Sequence, residues 1–292
     1  MGRDLVAHVP AAADLLQNAV STLGWNLDEV MFEGPMEKLT RTGCCQPALY
    51  VHGLMLWETL AGLNPALKVE AAAGLSLGEF TAHTTVGTYS FETGLRLVAR
   101  RGEFMDEACD RTEGGMVAVI GGDEEAVRNL AAECDIDVAN LNAPGQIVLS
   151  GAIEGVRKAA GLAKERGARM AKELPVAGAY HSRLMASAQE KLAAELATAD
   201  IRISETPVWA NFTARPADSA DQIRRNLETQ VTGSVRWAES LKDMIAAGHR
   251  RFVELGPDRS LTGMMKRIDP EVEVLGATNY QEVCDLAAAL GR

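Results

Sequence analysis

The stretch Ala73-Gly74-Leu75-Ser76-Leu77-Gly78-Glu79-Phe80 decides the fold of this chain. It follows a mostly apolar run at 69–73 and precedes a segment with helical character, so it predicts a strand, a sharp turn and a helix. The spacing Gly-x-Ser-x-Gly is typical of a strained elbow, in which the glycines leave room and the serine oxygen points outward. Backbone N–H groups at the start of the following helix converge near that oxygen. Ser76 is therefore the first candidate nucleophile.

Composition sets the broad class of the protein. The 292 residues are 47% hydrophobic and 24% charged, which fits one large globular domain or one domain carrying an insertion. Acidic residues outnumber basic ones by 40 to 29, and this net charge of -11 argues against nucleic acid or an anionic membrane as the main partner. The five cysteines have neither zinc nor disulfide spacing, so we expect reduced thiols in the cytoplasm. We find no apolar run of about 18 residues and no signal-like leader, so we expect neither a membrane span nor standard secretion.

The middle of the chain has a different succession of predicted strands and helices from the rest. Short apolar strands are predicted at 116–120, 136–139, 146–150 and 168–173, with helices at 123–133 and 153–166. This βαββαβ order predicts a ferredoxin-like subdomain at 113–174, inserted into an α/β body formed by 1–112 and 175–292. In the body, one helical segment is predicted over 1–33, and a second helix, which Pro47 opens, is predicted over 48–60. Strands are predicted at 68–73 and 206–211. Alternating strands and helices favour a mostly parallel, helix-covered sheet.

A nucleophilic serine needs a base, and the chain has five histidines, at positions 8, 52, 83, 181 and 249. Those at 8 and 249 lie in polar or terminal surroundings, where a solvated surface position is the simpler interpretation. His52 lies in an apolar helix, and His83 lies on the helix leaving the elbow, which points it away from Ser76. His181 follows a glycine-containing turn where the insertion rejoins the body, a usual place for a cleft. It is the best candidate base.

With Ser76 and His181 paired, the chain resembles the malonyl-CoA:acyl carrier protein transacylases of fatty acid and polyketide synthesis. Several blocks together carry this resemblance, in the family's order and over nearly the whole chain. They are QPAL at 46–49, GLSLGE at 74–79, RGEFM at 101–105, NLNAPGQ at 140–146, YHSRLM at 180–185, NFTARP at 211–216, Gln230, VRW at 235–237 and ELGP at 254–257. The resemblance implies an α/β-hydrolase-like body with an inserted ferredoxin-like subdomain, in agreement with the element order above.

The resemblance also implies a reaction. A malonyl group passes from coenzyme A to Ser76 and then to the phosphopantetheine thiol of acyl carrier protein, in a ping-pong mechanism with His181 as general base. No metal or permanently bound cofactor is expected, because the coenzyme A thioester is itself the substrate. In the family the histidine is oriented by a backbone carbonyl near the residue matched by Gln230. From the residues alone, a surface helix residue is the favoured interpretation of Gln230.

Two residues bear on the substrate. In the family, a guanidinium at the position of Arg101 holds the free malonyl carboxylate with two parallel hydrogen bonds. The same position is apolar in members that load unsubstituted acyl groups, whereas an arginine of an Arg-rich helix is commonly just solvated. Tyr180, directly before the base, places a bulky ring that favours malonyl over methylmalonyl, and its hydroxyl leaves room for a polar α-substituent.

Two departures from the family pattern concern the elbow. Leu75 replaces the histidine that most members carry before the nucleophile, and we expect activity to survive this change. The family's oxyanion hole takes one N–H from the residue after the nucleophile, here Leu77. The second comes from an N-terminal strand and Gly-Gln-Gly loop, which we expect to be missing from this chain. Gln46 and Asn142 complete the predicted pocket.

Acyl carrier proteins are acidic, and so is this chain, so docking of the two requires a local cationic face on this protein. The expected contributors are Arg157, Lys158, Lys164, Arg166, Arg169, Lys172, Lys266 and Arg267, although a plainly solvated surface explains them almost as well. We expect a cytoplasmic monomer. Two alternatives stay open: a serine thioesterase or acyl hydrolase, which passes the acyl group to water, and a catalytically weak interaction module of a synthase complex.

Overall fold

The computed structural model describes residues 1–291 and consists mainly of helices separated by short strands. The helices are α1 (Arg3–His8), α2 (Pro10–Leu23), α3 (Leu27–Glu33), α4 (Met36–Thr40), α5 (Thr42–Leu63), α6 (Leu77–Thr85), α7 (Phe91–Cys109), α8 (Glu124–Glu133), α9 (Ile153–Leu162), α10 (Ala186–Thr198), α11 (Ala220–Thr229), α12 (Trp237–Ala246), α13 (Ser260–Ile268) and α14 (Tyr280–Leu290). The strands are β1 (Ala72–Ala73), β2 (Gly114–Ile120), β3 (Asp137–Ala143), β4 (Gln146–Ala152), β5 (Met170–Glu173), β6 (Val208–Trp209), β7 (Arg251–Leu255) and β8 (Glu273–Ala277). None of these helices is long and apolar enough to cross a membrane.

The N-terminal helical region is more divided than its sequence predicts. The segment 1–33 forms three helices, because Val9 is extended before Pro10 and Gly24 ends α2 with a φ of 73°. Helix α5 begins at Thr42, so Pro47 lies inside the helix and does not open it, contrary to the prediction. The carboxylate of Asp106 accepts a hydrogen bond of 2.9 Å from the Gly43 N–H, which stabilises the turn upstream of the proline.

The body is built around α5. This helix is buried along most of its length and packs against α7, α2, α6 and α14. Its Tyr50 belongs to the same core as Phe80 of α6, Leu95 of α7 and Leu192 of α10. Because α6 and α7 carry Ser76's neighbours and Arg101, the same core fixes both sides of the candidate site.

The body's strands pair in parallel, as predicted, but they form two separate two-stranded sheets, and β1 and β6 are shorter than expected. The prediction of strands over 68–73 and 206–211 is wrong in extent, since β1 and β6 pair only through Ala72–Val208 and Ala73–Trp209. Upstream of that ladder, the Thr206 hydroxyl donates to the Val69 carbonyl at 3.2 Å, so a side chain takes the place of a backbone partner. Strands β7 and β8 form a second parallel pair.

The inserted unit has a sheet and a core of its own. Strands β2 to β5 form an antiparallel sheet in the order β3-β4-β2-β5, and α8 and α9 complete the predicted βαββαβ succession. A separate cluster includes Val117, Leu130, Leu149 and Val156, which all are at most 1% exposed. The domain boundaries at 113 and 174 stay a prediction.

The inserted unit joins the body beside the candidate site. The Val235 N–H donates to the Ala139 carbonyl at 2.8 Å, and the Leu141 N–H donates to the Val235 carbonyl at 2.9 Å. Strand β3 is thereby tied to the segment between α11 and α12. That segment begins at Gln230, so the junction lies against a residue of the site.

Candidate active site

Ser76 occupies a sharp turn between β1 and α6. Its φ of 53° is in the left-handed region, which a serine adopts only when its surroundings hold it there. A Cβ at Gly74 would lie 1.9 Å from the Gly78 carbonyl carbon, so only glycine allows the strand and the helix to approach this closely. The predicted strand-turn-helix elbow is thus confirmed, and its geometry explains the glycine at 74.

Asn211, at the end of the segment that follows β6, fixes this elbow. Its Oδ1 accepts a hydrogen bond of 2.6 Å from the Ser76 N–H, and its Nδ2 donates to the Gly74 carbonyl at 2.7 Å. Asn211 is fully buried. One side chain therefore satisfies the backbone on both sides of Leu75 and stabilises the strained conformation of the nucleophile.

Ser76 and His181 lie 105 residues apart in sequence and meet in the structure. The Ser76 Oγ is 2.8 Å from His181 Nε2, and His181 Nδ1 is 2.8 Å from the main-chain carbonyl of Gln230. A carbonyl can only accept, so Nδ1 carries the proton and Nε2 is free to take the proton of the serine hydroxyl. This is the arrangement of an activated serine, with a carbonyl in the orienting position.

The environment keeps the histidine neutral. Burial lowers the pKa of His181 to about 4, the positive charge of Arg101 acts in the same direction, and the hydrogen bond to the Gln230 carbonyl opposes both. Unprotonated imidazole is the form that accepts a proton. His181 is therefore in its basic form throughout the neutral range.

Arg101 lies on α7 and is 1% exposed, so it is no solvated arginine. Its Nη2 donates to Ser76 Oγ at 3.1 Å and to Gln230 Oε1 at 3.0 Å, and its Nη1 donates to Gln46 Oε1 at 2.5 Å. Burial lowers the pKa of Arg101 to about 10, which leaves it charged at neutral pH. Its Nε has no partner among residues 1–291. A buried cation with an unused donor thus lies against the nucleophile.

Gln230 is a buried residue at the centre of the site, and its identification as a surface helix residue is excluded. Its main-chain carbonyl orients His181, its Oε1 accepts from Arg101, and its Nε2 donates to the Ser76 carbonyl at 3.0 Å and to Glu79 Oε2 at 2.7 Å. One residue therefore contacts the candidate nucleophile, base and cation at once.

Glu79 completes the network beneath the nucleophile. It is fully buried in the first turn of α6, and its Oε2 also accepts a hydrogen bond of 2.9 Å from the Asn211 N–H. Burial raises the pKa of the Glu79 carboxyl to about 7, while the two hydrogen bonds and the charge of Arg101 oppose that rise. The site therefore holds a buried carboxyl group and a buried guanidinium, joined through the amide of Gln230.

The other predicted site residues surround this network. Leu77 opens α6, and its N–H has no acceptor in the described part of the chain, as a donor to an oxyanion requires. Leu75 packs beside Ala73 against a body cluster, and the Tyr180 hydroxyl accepts from Thr42 Oγ1 at 2.7 Å. Asn142 is 7% exposed, and its Oδ1 has no partner within residues 1–291.

The remaining histidines are placed elsewhere. His83 is buried and pairs through Nδ1 with Thr88 Oγ1 at 3.1 Å, in agreement with the prediction that it points away from Ser76. His52 is buried in α5. No group of three or more His, Cys, Asp or Glu side chains in the described structure is arranged to hold a metal ion.

Glu79 and Asn211 are functional candidates that the sequence analysis did not single out. A signal for Glu79 existed, because a carboxylate three positions after the serine lies one helical turn away and faces the elbow. No comparable signal marked Asn211, since its role depends on the pairing of β6 with β1.

Comparison with known proteins extends to the whole chain. Residues 1–278 match the model of the acyl transferase domain. The malonyl CoA-acyl carrier protein transacylase of Bacillus subtilis is 37% identical over 290 residues, which covers 97% of this chain and 90% of that protein. The solved structure of the malonyl CoA-acyl carrier protein transacylase from Coxiella burnetii superposes with a TM-score of 0.96 at 33% identity, covering 100% of this chain and 93% of that one.

A further solved structure, of a type II polyketide synthase acyl carrier protein in complex with its malonyl-transacylase, has a TM-score of 0.95 at 31% identity, with coverage of 99% and 94%. These matches run over nearly the full length of both partners. The chain belongs to the acyl transferase domain family, among the malonyl-CoA:acyl carrier protein transacylases.

Proposed function

We propose that this protein transfers a malonyl group from coenzyme A to the phosphopantetheine thiol of an acyl carrier protein through a malonyl-Ser76 ester. The observation that carries the proposal is the position of Arg101, whose Nη2 lies 3.1 Å from Ser76 Oγ. In a malonyl ester the free carboxylate is only two carbons beyond the acyl carbon bound to Oγ. A buried guanidinium that touches Oγ is therefore within reach of that carboxylate, and a substrate carboxylate would provide a partner for its Nε.

The first half-reaction uses the geometry of the free site. Ser76 Oγ attacks the thioester carbonyl while its proton passes to His181 Nε2, and the carbonyl oxygen becomes an oxyanion next to the Leu77 N–H. When the tetrahedral intermediate collapses, the C–S bond breaks and the imidazolium returns the proton to the coenzyme A thiolate. The second half-reaction repeats these steps in reverse, with the carrier thiol as the nucleophile.

The acyl donor also needs a path for its long pantetheine arm. A cleft of about 520 Å³ lies between β3 of the inserted unit and the start of α12, lined by Leu141, Phe212 and Arg236, among others. Leu141 and Phe212 directly adjoin Asn142 and Asn211 in sequence. This cleft supports a route for the arm along the junction of the inserted unit and the body.

Incubation with radiolabelled malonyl-CoA, with and without carrier protein, tests this function. We expect a stable label on Ser76 that moves to the carrier thiol when carrier is added. Steady release of free malonate without carrier would identify a hydrolase. Absence of labelling would identify a catalytically weak interaction module.

The acidic limb of the pH profile is a second expected result. Burial and Arg101 hold the pKa of His181 near 4. Acylation of Ser76 should therefore persist at pH 5.5 and decline only as the pH falls toward 4. Replacing Arg101 by leucine removes one of the two causes, so the limb should move to higher pH. The measurement is kcat/KM for acetyl-CoA against pH in both proteins, since acetyl lacks the carboxylate. A limb at or above 6.5 in the unmodified protein would contradict this.

The inserted unit supplies a candidate docking face for the carrier. Arg157 and Lys158 are exposed on α9, where Lys158 Nζ donates to the Glu133 main-chain carbonyl at 2.8 Å, whereas the guanidinium of Arg166 is paired with the Glu133 carboxylate. Reversing the charges of Arg157 and Lys158 to glutamate should raise the KM for carrier protein and leave that for malonyl-CoA unchanged. The matched control reverses two exposed cations of the body, Lys38 and Lys68, with the same change in net charge. An unchanged carrier KM would reject this face. The cytoplasmic location and monomeric state stay predictions.

A further inference from the structure

Within the described structure, the buried carboxyl group of Glu79 makes hydrogen bonds through only one of its two oxygens, which packing in the core does not explain. Both of its hydrogen bonds, from the Gln230 amide and the Asn211 N–H, go to Oε2, and Oε1 has no partner among residues 1–291. A fully buried carboxylate placed in this way is costly unless the groups it holds require it. Those groups are the two residues that fix Ser76 and His181.

The orientation of the Gln230 amide depends on the acceptors around its Nε2, of which Glu79 Oε2 at 2.7 Å is the nearer and the Ser76 carbonyl at 3.0 Å is the second. With Nε2 toward the carboxylate, Oε1 faces Arg101 Nη2 at 3.0 Å. The opposite orientation would place two donors, the amide NH₂ and the guanidinium, against each other, and two acceptors on the other side. Without an acceptor at position 79, only the Ser76 carbonyl at 3.0 Å still favours this orientation, so the preference is weakened and Gln230 Oε1 is held less firmly against Arg101.

We propose that Glu79 is a positioning residue that fixes the Gln230 amide, and through it places Arg101 for the substrate carboxylate. This inference rests on the proposed function, because it assumes that Arg101 binds the malonyl carboxylate. It assigns to Glu79 an effect on acyl selectivity, which a residue needed only for packing would not have.

Three variants separate the parts of this role. Glu79→Gln keeps a carbonyl oxygen that accepts both hydrogen bonds and removes the charge. Glu79→Leu removes the acceptor at similar volume, and Glu79→Asp keeps the charge but shortens the reach by one methylene. Each is assayed for acylation of Ser76 by malonyl-CoA and by acetyl-CoA, with kcat and KM determined separately and folding checked by thermal unfolding.

We expect Glu79→Leu to lower kcat/KM for malonyl-CoA by about tenfold to hundredfold, the range in which small displacements reduce catalysis. The ratio of malonyl to acetyl activity should fall at least tenfold, and Glu79→Gln should restore it to within about threefold of the unmodified protein. If Glu79→Leu does not fold, the comparison of Glu79→Gln with Glu79→Asp decides, with the glutamine variant the more selective.

Equal losses for both acyl donors, or a glutamine variant as unselective as the leucine or aspartate variant, would overturn the positioning role. Failure of the unmodified protein to acquire a malonyl label on Ser76 is a different outcome, because it overturns the proposed function itself. The two failures are therefore distinguished by the unmodified protein in the same assay.

Discussion

Replacing Ser76 with alanine is expected to reduce malonyl transfer by at least about 10⁴-fold, as removal of an attacking serine does in other serine enzymes. The loss should be this large because, among residues 1–291, Ser76 provides the only hydroxyl within hydrogen-bond distance of His181 Nε2. Ser76 Oγ is held 2.8 Å from His181 Nε2 and 3.1 Å from Arg101 Nη2. Removing Oγ leaves the base and the cation in place without an atom to carry the acyl group. The measurement is single-turnover labelling with malonyl-CoA, followed by transfer to carrier protein.

Ser150→Ala is the matched control for this change. Ser150 is also fully buried, and its Oγ has no hydrogen-bond partner in the described structure, but it lies on β4 of the inserted unit. Its replacement should leave labelling unchanged. Two results would refute the covalent mechanism at Ser76: label on another residue of Ser76→Ala, or transfer of label from malonyl-CoA to carrier protein by that variant.

Two kinds of signal in the sequence predict parts of the site: the spacing of neighbouring residues and the resemblance to a family. The elbow is local, since Gly74, Ser76 and Gly78 lie within five residues and their spacing reflects one tight turn. The base is distant, and the residues alone favoured His181 among five histidines only through its position beside the insertion. The fold brings both residues to one junction, 2.8 Å apart, while their catalytic roles stay a prediction.

The orienting group for the histidine lies beyond side-chain patterns. Its acceptor is the main-chain oxygen of Gln230, and every residue has such an oxygen. Only the path of the backbone after α11 makes this one face His181. The amide side chain of the same residue, in contrast, has a separate task toward Arg101 and Glu79. The resemblance pointed to Gln230, whereas the separate contacts of its main chain and its side chain follow only from the fold.

The short strands have a similar physical origin. An apolar run predicts a strand, but a ladder also needs a neighbouring backbone at the right distance. At β1 the neighbour β6 is available for two residue pairs, and beyond them a threonine side chain is the partner of Val69. The hydrophobic pattern contains no information about where that neighbour diverges. The lengths of β1 and β6 were therefore overestimated, while their parallel pairing was correct.

Arg101→Leu should reverse the acyl preference of the enzyme. Losing one member of a buried charge pair costs about 2–5 kcal/mol, so kcat/KM for malonyl-CoA should fall by about 30-fold to 4,000-fold. Acetyl-CoA has no carboxylate and should be affected far less. Some loss is expected for both donors, because Gln46 Oε1 and Gln230 Oε1 each lose the donor they now accept from. The ratio of the two activities, which cancels this common loss, is the quantity to measure.

Two further variants identify what the guanidinium supplies. Arg101→Lys keeps the positive charge but not the planar fork, so malonyl activity should fall between those of the leucine variant and the unmodified protein. Arg96→Ala, at an exposed arginine of the same helix, should change neither activity. If Arg101→Leu lowered malonyl and acetyl transfer equally, Arg101 would serve only to hold Gln46 and Gln230 in place. A selective loss that lysine partly restores requires the charge to act on the substrate, because only the malonyl carboxylate distinguishes the two donors.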